Sequence, residues 1–256
     1  MGKHNFFHDL DTVSLAGVAG CVLAGGMSRR MGTDKALLEL DGRLLIEIAM
    51  DGFCGFPEVF VSAGDAEGCG RYAFTSVRVI PDERPSLGPL GGIVSALKAS
   101  ERMFVCFRPV DAPLVPAALH RLMARACSAI PTESSPIPTK NNATTVGATP
   151  AVGRPPTLDT APTLDTTHAP APYDAAVPTF HGSTEPLLAC FSKSAIPVLE
   201  GLAEKNALKV TDAFPLLNTT YVPLDAPEHI STLGDPATYL ANANDPQTLS
   251  KLTALI

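Results

Sequence analysis

"CVLAGGMSRRMGTDKALLEL", residues 21–40, decides how the rest of the chain is read. Four apolar residues, Cys21 to Ala24, run into Gly25 and Gly26; the basic pair Arg29 and Arg30 follows, then Gly32, and Lys35 stands just beyond. An apolar run that ends in glycines has the profile of a buried parallel strand opening into a loop. Such a loop can approach an anion closely, because glycine carries no Cβ. Two familiar phosphate loops fail on spacing. A G-x-x-x-x-G-K-[ST] loop needs its lysine next to the second glycine, yet five residues separate Gly26 from Gly32 and Lys35 comes three later. A G-x-G-x-x-G dinucleotide fingerprint is not contained in "GGMSRRMG". What remains is a longer glycine loop, its amides facing phosphates and Arg30 and Lys35 balancing their charge, or a plain turn with solvated basic residues; two arginines and a lysine behind a buried strand favour the anion site.

From this loop the pattern continues in alternation. "KALLEL" (35–40) followed by Asp41–Gly42 predicts a strand and tight turn, and the spacing of Leu44, Leu45, Ile48 and Ala49 predicts a helix. "EVFVSAG" (58–64) and "VRVIPD" (77–82) read as short strands, "GPLGGIVSALKAS" (88–100) as an amphipathic helix, and "MFVCFRPVDAP" (103–113) as a strand ending in an acid. A helix over 116–126 follows, then strands at 173–180 and 186–192, a helix at 195–207, a strand at 219–225 and a closing helix at 245–255. Strands alternating with helices at this spacing imply an α/β fold around a mostly parallel sheet. Residues 128–172 break the pattern: nine prolines, no aromatic residue and the echo "PTLDTAPTLDT". That composition cannot bury enough apolar surface to offset chain ordering, so the expectation is a disordered insertion within one domain spanning 17–256, behind a flexible tail at 1–16.

Composition narrows the function classes. The 256 residues are 45% hydrophobic, enough for a substantial core, and the formal net charge is −7 without any long Lys/Arg run, a poor match to nucleic acid or an anionic membrane. The six cysteines are scattered, without C-x-x-C or zinc-ligand spacing, as expected of free thiols in a reducing compartment. No apolar run approaches the ~20 residues of a membrane span, and no signal pattern opens the chain; a cytoplasmic protein is the expectation.

"LAGGMSRRMGTDKALLELDG" resembles, almost without gaps, the signature L-A-G-G-x-S-x-R-M-G-x-D-K-x-x-L-x-x-x-G of the molybdenum cofactor guanylyltransferases, within the nucleotidyltransferase superfamily. "IPDERPSLGPLGGIVSAL", "FRPVDAPLVP", "YDAAVPTFHGSTEPLLACF" and "YLANANDPQTL" are similar to further family segments in the same order. The resemblance implies a three-layer, Rossmann-like nucleotidyltransferase fold and an enzyme that transfers GMP from GTP to the terminal phosphate of molybdopterin, with Mg²⁺ as cofactor and pyrophosphate as leaving group. It implies that Leu23, Ala24, Gly25 and Gly26 line the nucleotide with their backbone. Arg30 and Lys35 would neutralise the phosphates, Asp82 would contact the nucleotide, and Asp111 would hold the metal. Asn242 and Asn244 would face the pterin, beside a wall shaped by Glu185–Leu187. Two departures from the family pattern are Ser62, where relatives carry asparagine, and Asp245, where they carry threonine; Ser62 is therefore not placed in the site. The rivals are a cytidylyltransferase using the same pterin, a sugar-phosphate nucleotidyltransferase, and a non-catalytic partner of a molybdoenzyme or its chaperone.

Overall fold

The computed structural model describes residues 14–25, 34–129, 172–243 and 246–253. One mostly parallel sheet organises them. Strand β1 (Val18–Leu23) lies between β4 (Glu58–Ser62) and β6 (Phe104–Pro109), parallel to both. β5 (Arg78–Ile80) continues the parallel side beyond β4. On the other side of β6 comes β9 (Cys190–Ser192), antiparallel to it, then β7 (Ala175–Phe180) and, parallel to β7, β10 (Thr219–Pro223). β8 (Ser183–Thr184) folds back on the end of β7, and β2 (Glu39–Leu40) pairs with β3 (Arg43–Leu44) in a small separate ribbon.

Alternation along β1 explains why the sheet is covered on both faces. Val18 and Val22 pack into one apolar cluster with Phe53, Tyr72, Leu119 and Met123. Ala19, Cys21 and Leu23 point into the opposite cluster with Phe60, Leu90, Ile93, Phe107 and Phe191. Side chains two residues apart share a face of a strand, so a strand apolar at every position demands helices on both sides. The first face carries α1 (Leu45–Asp51) and α4 (Ala117–Ser128); the second carries α3 (Pro89–Ala99) and α5 (Ile196–Glu204). The result is the three-layer α/β architecture expected from the sequence.

Two expected strands are shorter than their apolar runs. Within 35–40, Lys35–Leu37 forms a 3₁₀ turn, because Asp34 caps it by accepting from the Ala36 amide at 3.0 Å; strand pairing begins only at Glu39. Within 186–192, Pro186–Leu188 is likewise a 3₁₀ turn, closed by the Leu188 amide on Glu185 O, and β9 starts at Cys190. A proline that cannot donate to a ladder favours the turn. Short helices at α2 (Ala66–Arg71), α6 (Pro227–Leu233) and α7 (Pro236–Tyr239) join those anticipated, and α8 (Pro246–Thr253) closes the chain.

Most of the expected insertion and tail lies outside the described residues. The described ends of the insertion meet: the Tyr173 amide donates to Cys127 O at 3.1 Å. Leu15, at the end of the expected tail, is buried in the same cluster as Val18.

Candidate active site

From β1 the chain passes to β4 and β5 on one side and then crosses to β6 on the other. The C-terminal ends of β1 and β6 therefore bound the crevice where open α/β sheets bind ligands. Each wall of that crevice is fixed by identifiable bonds.

On the β1 wall, the Ala24 and Gly25 amides both donate to Ser62 O, at 2.9 and 3.1 Å. They are thus committed to the sheet edge, contrary to the expectation that they would face phosphates. Gly25 is glycine for a local reason as well: a Cβ there would stand 2.8 Å from the Gly64 amide nitrogen. Lys35, in the 3₁₀ turn, reaches across the crevice and its Nζ lies 2.9 Å from Asp111 Oδ2, with side-chain exposures of 20% and 25%. The pair is half-shielded from water, so its charges are weakly screened compared with a surface pair.

The turn carrying Lys35 is held by residues that the sequence did not single out. Tyr72 donates its hydroxyl to Asp34 Oδ2 at 2.7 Å and has Ala24 O within reach at 3.2 Å. Arg71 Nε stands 3.1 Å from the same Asp34 oxygen. Burial, then the neighbouring Asp34 carboxylate, pushes the Tyr72 phenol well up, which keeps it a proton donor. The only hint in the sequence was an Arg-Tyr pair at the end of a short polar helix, which carries no spacing signal.

Asp111 sits on the turn after β6. Its backbone oxygen accepts from the Ala243 amide at 2.7 Å, which ties the closing segment to the turn. Beneath it, Arg108 is almost fully buried, and its Nη2 donates to Ala112 O (3.0 Å) and Pro113 O (2.9 Å). Burial pushes this guanidinium down to about 10, still charged at neutral pH. A cation in the middle of a sheet is costly to desolvate; here its bonds brace the two carbonyls that follow Asp111. Arg108 carries no mark in the sequence beyond standing in the apolar run that leads to Asp111.

Asp111 also lines a cleft of about 220 Å³ with Pro109, Glu185, Leu187, Leu240 and Asn242. Burial raises the Glu185 carboxyl above the usual range. The carboxylates of Asp111 and Glu185 and the amide of Asn242 make an oxygen-bearing surface suited to a hard cation and to a donor-rich heterocycle.

Asp82 stands at the opposite end of the sheet edge. Ser62, 1% exposed, donates its hydroxyl to Asp82 Oδ1 at 2.9 Å. A Cβ on Gly92 would meet Ser62 Oγ at 2.9 Å and Leu23 Cδ2 at 3.2 Å, so Leu23, Ser62 and Asp82 converge on the start of α3. Burial raises the Asp82 carboxyl; the serine bond offsets part of that, and Asp65 adds to it. The serine in the family's asparagine position thus supports Asp82. Of the expected site residues, Lys35, Asp111 and the Asn242 segment are brought together, with Leu23, Ala24 and Gly25 along the same edge. Gly26, Arg30, Asn244 and the departing Asp245 lie outside the described residues.

The mostly parallel sheet thus brings a lysine–aspartate pair to its switch point, and similarity to known proteins gives the class, a nucleotidyltransferase. The chain belongs to the family of MobA-like NTP transferase domains, whose match covers residues 20–215. It is 28% identical over 233 residues to a probable molybdenum cofactor guanylyltransferase of Pelotomaculum thermopropionicum, covering 91% of this chain and 90% of that one. A probable enzyme of the same name from Methanothermobacter thermautotrophicus is 45% identical over 98 residues, 37% of this chain and half of the relative's length. Among solved structures, molybdopterin-guanine dinucleotide biosynthesis protein A from Archaeoglobus fulgidus superposes with a TM-score of 0.65 at 20% identity, covering 93% and 97% of the two chains. A structurally similar Mycobacterium tuberculosis protein, TM-score 0.53 and 13% identical, was solved with manganese; it covers 94% of this chain and 100% of its own. No described helix is long and apolar enough to cross a membrane.

Proposed function

We propose that the chain transfers GMP from GTP to the terminal phosphate of molybdopterin, forming the guanine dinucleotide of the molybdenum cofactor. The observation that carries this reading is the Lys35–Asp111 pair across the ends of β1 and β6, with the Asn242 segment bonded to the Asp111 backbone. It places a cation, a carboxylate and an amide-bearing wall in one crevice. The relatives named for this activity over most of the chain's length agree with it.

In the proposed reaction an oxygen of the acceptor's phosphate attacks the α-phosphorus of GTP in line. The new O–Pα bond forms as the bond to the leaving pyrophosphate breaks. A phosphate monoester dianion is nucleophilic enough without a general base, so the chain's contribution is alignment and charge neutralisation. Lys35 would balance charge on the departing phosphates, with Arg30 as its partner from the loop. Asp111 would hold Mg²⁺, which supplies Lewis-acid stabilisation of the phosphoryl oxygens; its carboxylate, beside the oxygens of Glu185 and Asn242, fits a hard cation. Asp82 would contact the nucleoside at the far end of the edge, and Asn242 and Asn244 would take the pterin. Molybdoenzymes or their chaperones would receive the product, in the cytoplasm.

Pyrophosphate release from the purified full chain tests the reading, with GTP or CTP, with and without molybdopterin and Mg²⁺. Release that requires GTP, pterin and metal together is expected. Preference for CTP would make it a cytidylyltransferase, acceptance of a sugar phosphate would make it a different transferase, and tight GTP binding without release would make it a carrier.

A further inference from the structure

We propose that Tyr72, with Arg71 and Asp34, is a positioning latch: it ties the end of β1 to the turn that carries Lys35 and so sets where the lysine meets the nucleotide's phosphates. This rests on the nucleotide-transfer reading above, and deepens it.

Gly25 and Asp34 stand on either side of residues 26–33, and among the described residues no main-chain hydrogen bond joins them. The bonds among the described residues bring them together through one side chain. Tyr72 is buried in the same cluster as Val22 and Ala24, so its ring is fixed against β1. Its hydroxyl is 3.2 Å from Ala24 O and 2.7 Å from Asp34 Oδ2. With one proton to give, it donates to the nearer carboxylate, and a hydrogen bond to a charged acceptor is about twice as strong as a neutral one.

The Asp34 carboxylate is correspondingly crowded. Oδ2 takes the Tyr72 hydroxyl and has Arg71 Nε 3.1 Å away as an ion-pair contact, while Oδ1 takes the Ala36 amide that opens the 3₁₀ turn. A buried tyrosine needs a single partner to satisfy its hydroxyl, and Ala24 O was available. Two hydrogen bonds and an ion pair gathered on the residue immediately before Lys35 go beyond what burial of one phenol requires. The effect is to fix the direction in which the Lys35 stem leaves, toward Asp111 Oδ2 at 2.9 Å. An ammonium on a four-carbon stem is a flexible point charge, so its placement depends on where its backbone is held.

None of these three residues needs to touch the substrate, so their signature differs from that of Lys35 itself. Tyr72→Phe keeps the ring and removes only the hydroxyl. The expected result is a roughly tenfold rise in KM and Kd for Mg·GTP, the equivalent of one hydrogen bond at about 1.4 kcal/mol per tenfold. The KM for molybdopterin should hold and Tm should change little. Asp34→Asn should raise the same KM at least as much. Adding Tyr72→Phe to Asp34→Asn should bring no further rise, since both act through one bond.

Arg71→Gln, at a partly exposed position, should give a smaller shift in the same direction. Hydrogen exchange at the Ala36, Leu37 and Leu38 amides supplies a readout that needs no substrate: it should speed up about tenfold in Tyr72→Phe. Unchanged exchange there, or a fall in Tm with nucleotide KM and Kd unmoved, overturns the latch. A wild-type chain that uses CTP instead would overturn the guanylyl reading alone, and the same KM comparison would then be made with CTP. Absence of turnover with any nucleotide would overturn the transfer reading, while the exchange rates would still decide the latch.

Discussion

The two walls of the crevice treat their polar side chains in opposite ways. On the β1 side, Lys35 is paired with Asp111, Asp34 with Tyr72 and Arg71, and Asp82 with Ser62. On the side of the 3₁₀ turn and the closing segment, the Glu185 carboxylate and the Asn242 amide have no hydrogen-bond or ionic partner among the described residues. The first wall is a prearranged charge frame whose geometry survives without ligand; such preorganisation is what makes electrostatic catalysis effective. On the proposed reading, the second wall keeps hydrogen-bonding capacity open for an acceptor rich in donors and acceptors. It is also built from turns and prolines rather than ladder, so fewer main-chain bonds determine its shape.

The largest effect expected from breaking this comparison lies in the first wall. Lys35→Ala and Asp111→Ala should each lower kcat for pyrophosphate release by ~10²–10³-fold, the usual loss when one preorganised charge is removed; stopped-time pyrophosphate assays read it directly. Full activity in both variants would remove the frame from the mechanism. A smaller and differently shaped effect is expected from the second wall. Asn242→Ala and Glu185→Gln should raise KM for molybdopterin roughly tenfold, one lost hydrogen bond each, with KM for GTP unmoved. Should Asn242→Ala instead raise the Mg²⁺ concentration needed for half-maximal rate, the two walls would share the metal, and the division drawn between them would shift.

A third test concerns the layer under Asp111. His120 is fully buried against Phe53, and neither ring nitrogen has a partner among the described residues. Burial, and secondarily the Arg108 charge, pulls the imidazole well below its ordinary value of 6.5. The folded protein therefore holds it neutral, while the unfolded chain takes up a proton as pH falls through 6.5. Stability is present above that point and is lost below it, by up to about 1.4 kcal/mol per pH unit. Urea midpoints between pH 5 and 8 should show this slope, and His120→Leu should flatten it while leaving nucleotide KM in place.

The smallest effect is expected far from both walls. Because Cys127 O and Tyr173 N are already bonded, replacing residues 130–171 by a short Gly/Ser linker closes a loop whose ends touch. Shortening it changes closure entropy by only about 1–2 kcal/mol, so Tm should hold or rise by a few degrees and nucleotide Kd should not move. Loss of folded protein would show that the segment packs.

Much of the architecture was legible in the residues, because apolar periodicity and glycine-bounded runs are local signals. β1, α1, β4, β5, α3, β6 and α4 fall where the alternating pattern put them, and Lys35 and Asp111, which the fold pairs, were named from the motif and the strand end. The misreadings at 35–40 and 186–192 share a cause: an apolar run reports burial, and a capped or proline-led 3₁₀ turn buries side chains as well as a strand does. Tyr72 and Arg108 were invisible for a different reason. Tyr72 works through oxygens 38 and 48 positions away, and Arg108 through two carbonyls four and five positions on, across a turn that only the fold forms; nothing in their own neighbourhoods marks either.

What the order of amino acids carries alone is thus most of the longer elements, the covering of the sheet on both faces and the identity of the charged residues at its edge. The meeting of Lys35 with Asp111 across 76 positions, the seating of Asp34 on Tyr72 and the bond from Ala243 to Asp111 O needed the folded chain. Strand order brings those residues to one edge, and strand order is chosen by how whole faces pack together, a property that no single stretch of residues contains.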